Sequence, residues 1–137
     1  MSDVSLITVN FKSTRLINEI EMRLSQFKIE LIVVDNSGDF VAIGPRTTVI
    51  SSKSNIGFGR ACNFGARHAS GRVLVFFNPD LEFDKNNLEK LIQISSEHEK
   101  GSIWSPAIIN GDGKVSALSN FKNAGLIYRR YNLTVSE

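Results

Sequence analysis

One cysteine in 137 residues, Cys62, is too few for an intrachain disulfide, and its solitude fits a reducing compartment. The two histidines, His68 and His98, have no second His or Cys beside them, which excludes zinc-ligand spacing. No apolar run exceeds the five residues Val73 to Phe77, against the roughly 20 that a membrane span needs. The start, Met1-Ser2-Asp3-Val4, has neither the basic region nor the apolar core of a secretion signal. The expected location is therefore cytoplasmic, with peripheral contact at the inner face of the membrane as the furthest departure. A net charge of +2, scattered over the chain without a Lys/Arg stripe, gives no footprint for nucleic acid.

What is present is an ordinary globular composition, 42% apolar and 22% charged, at the length of one domain. Val4 to Val9 reads as a first strand. Leu16, Ile20, Leu24 and Phe27 then mark one helical face, with Thr14 as its cap. Ile29 to Val34 and Thr47 to Ser51 read as the next two strands. A helix from about Gly57 or Gly59 to Ala69 packs through Ala61, Cys62 and Phe64 or Ala66. Its internal Gly65 costs about 1 kcal/mol relative to Ala, which points to a strand or ligand in close approach. Gly71 reads as the stop, followed by the strand Val73 to Phe77. Asp84 caps a further helix that buries Leu88, Leu91, Ile92 and Ser95 and closes at Gly101.

This alternation predicts an α/β fold with a mainly parallel sheet and right-handed crossovers. Ile103 to Ile109 reads as a further extended segment with Pro106 at an edge or bulge. Asn110-Gly111-Asp112-Gly113 reads as a turn opening a hairpin into Lys114 to Leu118. The reading places a sheet-forming domain at residues 1–118 and a tail, apolar and basic, at 119–137. That tail either packs on the domain or lacks the partner it packs on; the second reading is preferred here, with contact between copies of the chain as one outcome.

Two apolar strands run straight into polar segments. Leu31 to Val34 leads into Asp35-Asn36-Ser37, and Val73 to Phe77 leads into Asn78-Pro79-Asp80. In an open α/β sheet the carboxyl ends of strands form the ligand crevice, so Asp35 and Asp80 are expected to meet there. Asp35 suits a ribose hydroxyl or a base N–H, and equally a turn in which it satisfies backbone donors. Asn36 and Ser37 either hold that turn or touch ligand. Pro79 forces the chain out of the sheet and fixes Asp80, whose carboxylate suits Mg²⁺ or Mn²⁺ if diphosphate oxygens and waters complete the shell. Glu82 is a candidate helper or a solvated acid. Gly57, Gly59 and Gly65 match neither a dinucleotide fingerprint nor a P-loop, although a glycine-led helix start favours anions. Asn55 caps that turn or touches the ligand, Arg60 reaches phosphate or solvent, and Asn63, mid-helix, needs a hydrogen-bond partner. Cys62 lacks a neighbouring base, and Phe58 and Trp104 read as core or crevice wall.

Taken in order, Val33-Val34-Asp35-Asn36-Ser37, Asn55-Ile56-Gly57-Phe58-Gly59 with Ala61, Asn63 and Gly65, and Phe76-Phe77-Asn78-Pro79-Asp80 resemble one family. The chain resembles the nucleotide-sugar-binding part of inverting family 2 glycosyltransferases of the GT-A fold, in their rhamnosyltransferase-like branch, over about Val4 to Lys114. The resemblance implies a nucleotide-diphosphate sugar donor, a saccharide or lipid-linked acceptor, and a place in bacterial polysaccharide biosynthesis. It implies that Thr8 and Val9 lie along the nucleotide, that Asp35 contacts the base, and that Asn36 is among the binding residues. Asn55 and Gly57 border the pocket, and Arg60 or Asn63 lines the donor side. Asp80 is the metal ligand of the Asp-x-Asp motif, whose first acid is Asn78 here. The family's catalytic base, an Asp or Glu in a later segment, has no counterpart after Asn110, since Asp112 reads as a turn former and Glu137 is last. The sequence is therefore read as ending before that half, with weak transfer activity expected of the chain alone. Two rivals stay open: a non-catalytic module that retains the fold to bind a nucleotide sugar or a protein, and a sugar nucleotidylyltransferase. The latter expects a basic phosphate loop after the first strand that Asn10-Phe11-Lys12-Ser13 does not supply.

Overall fold

The computed structural model describes residues 3–97, 103, 104, 114 and 126–129. The elements in chain order are β1 (Val4–Asn10), α1 (Thr14–Leu24), β2 (Glu30–Asp35), β3 (Thr47–Ser51), α2 (Phe58–Ala66), β4 (Val73–Phe76), α3 (Lys85–Glu97), β5 (Ile103–Trp104) and β6 (Leu126–Arg129). They build one sheet in the order β3-β2-β1-β4-β6-β5. The first four strands are mutually parallel. β6 runs antiparallel to β4, and β5 antiparallel to β6. The expected Rossmann-like sheet is present.

The strand composition explains why both faces are covered. On β2, Leu31 and Val33 join α1 and Leu88 of α3 in one core, while Ile32 and Val34 join Ala61 and Cys62 of α2 in another. Successive residues of a strand face opposite sides, so a continuous apolar run is stable only between two helical layers. Each such side chain contributes about 1.5–3 kcal/mol on burial.

Several boundaries differ from the expectations. α1 buries Ile17, Ile20, Glu21 and Leu24 rather than a face through Leu16. Leu16 instead lines the crevice described below. Ser13, not Thr14, is the residue before the helix; its hydroxyl donates to Asn10 Oδ1 (3.1 Å), so it caps no helical N–H. The buried Glu21 carboxylate accepts from the backbone N–H of Ile43 and Gly44, which fastens the β2–β3 connection to α1. α2 ends at Ala66, so Gly71 is not its stop; Gly71 lies pressed against the β1 backbone. Asp84 does cap α3, its Oδ1 accepting from Asn87 N at 2.7 Å. Of the two readings of the tail, the four described residues Leu126–Arg129 follow the first, pairing with β4 as a sheet strand. Gly101, the 110–113 turn and most of the expected hairpin lie outside the described residues, as do His98 and Asp112.

Two glycines set how closely the layers approach. A Cβ on Gly65 would sit 2.7 Å from Ile7 Cγ2 and 3.1 Å from Val34 Cγ2, so the close neighbour expected there is the sheet. A Cβ on Gly71 would sit 2.6 Å from Ser5 N and 2.7 Å from Val4 C, against backbone that cannot turn aside. Gly65→Ala is expected to cost about 1–3 kcal/mol despite the better helix propensity of alanine. Gly71→Ala is expected to cost more. Urea unfolding of both variants checks this ranking, and an unchanged midpoint for Gly71→Ala would refute the packing account.

Candidate functional site: a crevice at the strand ends

β1, β2 and β4 end on the same side of the sheet, and the segments that follow them enclose a crevice of about 430 Å³. Its base is a knot of polar side chains. Asn10, the last residue of β1, is fully buried, opposite Asp35, the last residue of β2. The Asn10 amide nitrogen donates to Asp35 Oδ1 (3.0 Å) and approaches Ser37 Oγ (3.0 Å), Asp39 Oδ1 (2.8 Å) and Thr14 Oγ1 (3.3 Å). Its Oδ1 accepts from Ser13 N at 3.1 Å. One amide thus ties β1, the start of α1 and the loop after β2 together.

Asp35 is only 4% exposed. Its Oδ1 also accepts from the backbone N–H of Ser37 (3.1 Å) and Gly38 (2.9 Å), and its Oδ2 accepts from Phe40 N (3.1 Å). Burial acts to raise its pKa, but the hydrogen bonds from Phe40, Asn10, Ser37 and Gly38 outweigh burial and hold the carboxyl below its ordinary 3.8. Gly38, at φ +76°, supplies the left-handed turn that brings its N–H onto the carboxylate. Asp39 is held low as well, by hydrogen bonds from the Ser37 and Asn10 side chains.

Above this base stands a polar wall. Asn36 Nδ2 donates to Asn55 Oδ1 (3.1 Å), which also accepts from Gly57 N (2.9 Å). Ser52 Oγ donates to Asn36 Oδ1 at 2.7 Å. Asn55 therefore holds the turn before α2, and Gly57 at φ +80° enters the helix with no side-chain cap. Gly57 and Phe58 line the crevice, so a helix start without a side-chain cap borders it, a setting that favours anions. The opposite wall is Asn78, Pro79 and the exposed Asp80, and the Leu81 N to Asn78 O bond (3.1 Å) closes the turn beyond β4.

The crevice therefore gathers Val9, Asn36, Asn55, Gly57, Asn78 and Asp80. Thr8 and Asp35 lie beneath it. The Thr8 hydroxyl is buried and donates to Phe77 O at 3.0 Å, and the Asp35 carboxylate is engaged by the turn. Arg60 and Asn63 line a separate depression on the far side of α2. Glu82 is exposed and outside both linings. Cys62 is a packed thiol, pushed up to about 12 by burial, and no nucleophile. His68 packs edge-on to Phe64, with Nδ1 2.9 Å from Phe64 O.

Two residues that the sequence reading missed matter here. Asn10 lies one residue beyond the strand expected at Val4 to Val9, and a polar residue directly continuing an apolar strand is the available signal. Phe11, 49% exposed, lines the crevice together with Phe58, 42% exposed. Among the described residues no three His, Cys, Asp or Glu side chains cluster as a ready cation cage. The donor set at Asp80 does suit Mg²⁺ or Mn²⁺, which are commonly held by one or two carboxylates with phosphate oxygens and waters.

Asp35→Asn would set an amide against the Phe40 N–H and is expected to destabilise the chain by about 2–4 kcal/mol at neutral pH. Because the native carboxyl titrates below its unfolded value, its contribution is complete above about pH 4 and disappears as pH falls through the native value. The stability gap between wild type and variant, followed by thermal unfolding, should therefore close in acid. A gap of constant size down to about pH 2 would contradict this assignment.

The family model for glycosyl transferase family 2 matches residues 14–134. The low-salt glycan biosynthesis hexosyltransferase Agl10 of Haloferax volcanii is 31% identical over 121 residues, covering 82% of this chain and 39% of that protein. The solved mannosyltransferase PcManGT from Pyrobaculum calidifontis, in complex with GDP-Man and Mn²⁺, superposes with a TM-score of 0.70 at 16% identity. That superposition covers 93% of this chain and 44% of the mannosyltransferase, and it establishes a shared fold. The chain thus spans about two fifths of the length of each relative. No helix among the described residues is long and apolar enough to cross a membrane. With the family match extending over most of its length, this chain belongs to glycosyl transferase family 2.

Proposed function

We propose that the chain is the donor-binding part of an inverting glycosyltransferase of the rhamnosyltransferase-like branch, transferring a sugar from a nucleoside-diphosphate sugar to a saccharide or lipid-linked acceptor. The observation that carries this is the crevice itself. One exposed carboxylate, Asp80, stands across from an uncapped helix start and a row of Asn side chains, all at the carboxyl ends of parallel strands. A diphosphate fits between an anion-favouring helix terminus and a cation held by Asp80. Asn36 and Asn55 offer the neutral donors and acceptors that a nucleoside needs, and Phe11 and Phe58 offer flat apolar surface at the lips.

In this reading each residue has a separate task. Gly57 opens the start of α2 to the ligand. Asn36 and Asn55, already locked to each other at 3.1 Å, present fixed polar edges rather than mobile ones. Asp35 and Asn10 act beneath them, holding the base of the crevice in place. Asp80, beside Asn78, would hold Mg²⁺ or Mn²⁺. The cation would supply positive charge to the departing diphosphate during displacement at the anomeric carbon. The biosynthesis of bacterial polysaccharide is the process this donor chemistry suits.

Calorimetry with UDP, dTDP and GDP, with and without Mn²⁺, tests the reading. At least one nucleotide is expected to bind, and Mn²⁺ is expected to tighten it. Asp80→Ala should abolish the metal-dependent gain, about tenfold, while leaving metal-free binding nearly unchanged. Absence of binding by any of the three at millimolar concentration would overturn the proposal.

A further inference from the structure

Residues 40–79 contain no Asp or Glu but five cations: Arg46, Lys53, Arg60, Arg67 and Arg72. The fold disposes of two of them. Arg46 donates to Phe27 O at 2.6 Å, and Arg72 pairs with Asp3 at 2.6 Å. The other three, spaced seven apart in sequence, converge on one groove of about 470 Å³ between the end of β3 and α2. Among the described residues none of the three pairs with a carboxylate. The groove shares no lining residue with the crevice. Charges that look scattered along the sequence are thus gathered in space.

Two of the three sit against local preference. Lys53 occupies the left-handed region at φ +61°, which is unfavourable for a residue with a side chain. Arg60 lies in the first turn of α2, where the helix macrodipole disfavours a cation. Arg67, two turns further on and about 10.5 Å along the axis, shares its face. Ser51 and Ser52 add hydroxyls at one rim, and Ile56 and Phe64 add an apolar floor. Guanidinium groups present forked donors that match phosphate oxygens.

We propose that this groove is a second anion site, one that takes a phosphate ester or diphosphate group while the organic part of the ligand lies on Ile56 and Phe64. A soluble phosphorylated metabolite and the headgroup of an anionic lipid share this chemistry. The site does not depend on the reading of the crevice.

The full chain, labelled with ¹⁵N, is titrated with pyrophosphate, and in parallel sedimented with phosphatidylcholine vesicles with or without phosphatidic acid. The test variant is Lys53→Gln with Arg67→Gln, both exposed and outside the crevice. Saturable amide shifts at residues 51–53 and 60–67, about tenfold weaker in the variant, support the site with a soluble ligand. Co-sedimentation with phosphatidic acid vesicles alone, lost in the variant, supports it with a lipid headgroup. Shifts confined to residues 55–58 and 78–80 without vesicle binding, or binding unaltered by the substitutions, would overturn it. Nucleotide affinity of the same variant, measured separately, distinguishes failure of this site from failure of the crevice.

Discussion

The hydrogen bond between the Asn10 amide and the Asp35 carboxylate is the constraint on which the site depends. Two adjacent parallel strands end at the same register position, and each ends on a polar residue that is almost wholly buried. Leaving either without a partner would carry the full desolvation penalty. Each therefore fixes the other, and the backbone donors at Ser37, Gly38 and Phe40 complete the shell. The loop after β2 has no freedom to collapse into the crevice, so Asn36 is presented to it in one orientation.

The remaining walls follow from packing. α2 can lie close to the sheet because Gly65 has no side chain to hold it off Ile7 and Val34. That closeness carries Gly57 and the start of the helix to the ends of β1 and β2. On the other side, β4 and its pairing with β1 end at Phe76, and the turn that follows through Asn78 and Pro79 leaves Asp80 exposed at the rim. Backbone geometry, rather than any long-range charge attraction, thus brings the helix start and the carboxylate to one opening.

Much of this was legible in the sequence, for reasons tied to particular residues. Strands β2 and β3 and the cap at Asp84 were readable because an apolar run, a β-branched run and an Asp before a helical pattern carry strong local signals. Gly65 was readable as a close approach. The inner face of α1 was read one residue off, because Glu21 belongs to the buried face and a polar residue hides that from a hydrophobic pattern. Of the two readings of Asp35, the turn accounts for its observed hydrogen bonds. Arg60 and Asn63 fall outside the crevice because α2 directs that face toward β3, a fact of helix rotation that spacing alone does not contain. The convergence of Lys53, Arg60 and Arg67 was invisible for the same reason.

The most direct measurement is the map of amide shifts when the ¹⁵N-labelled chain is titrated with UDP, dTDP and GDP in turn. The account predicts that the largest changes fall on Asn36, Asn55, Gly57, Asn78 and Asp80, with Asn10 and Asp35 shifting little because their partners are internal. Changes centred instead on Ser70, Gly71 and Arg72, at the opposite end of the strands, would contradict it.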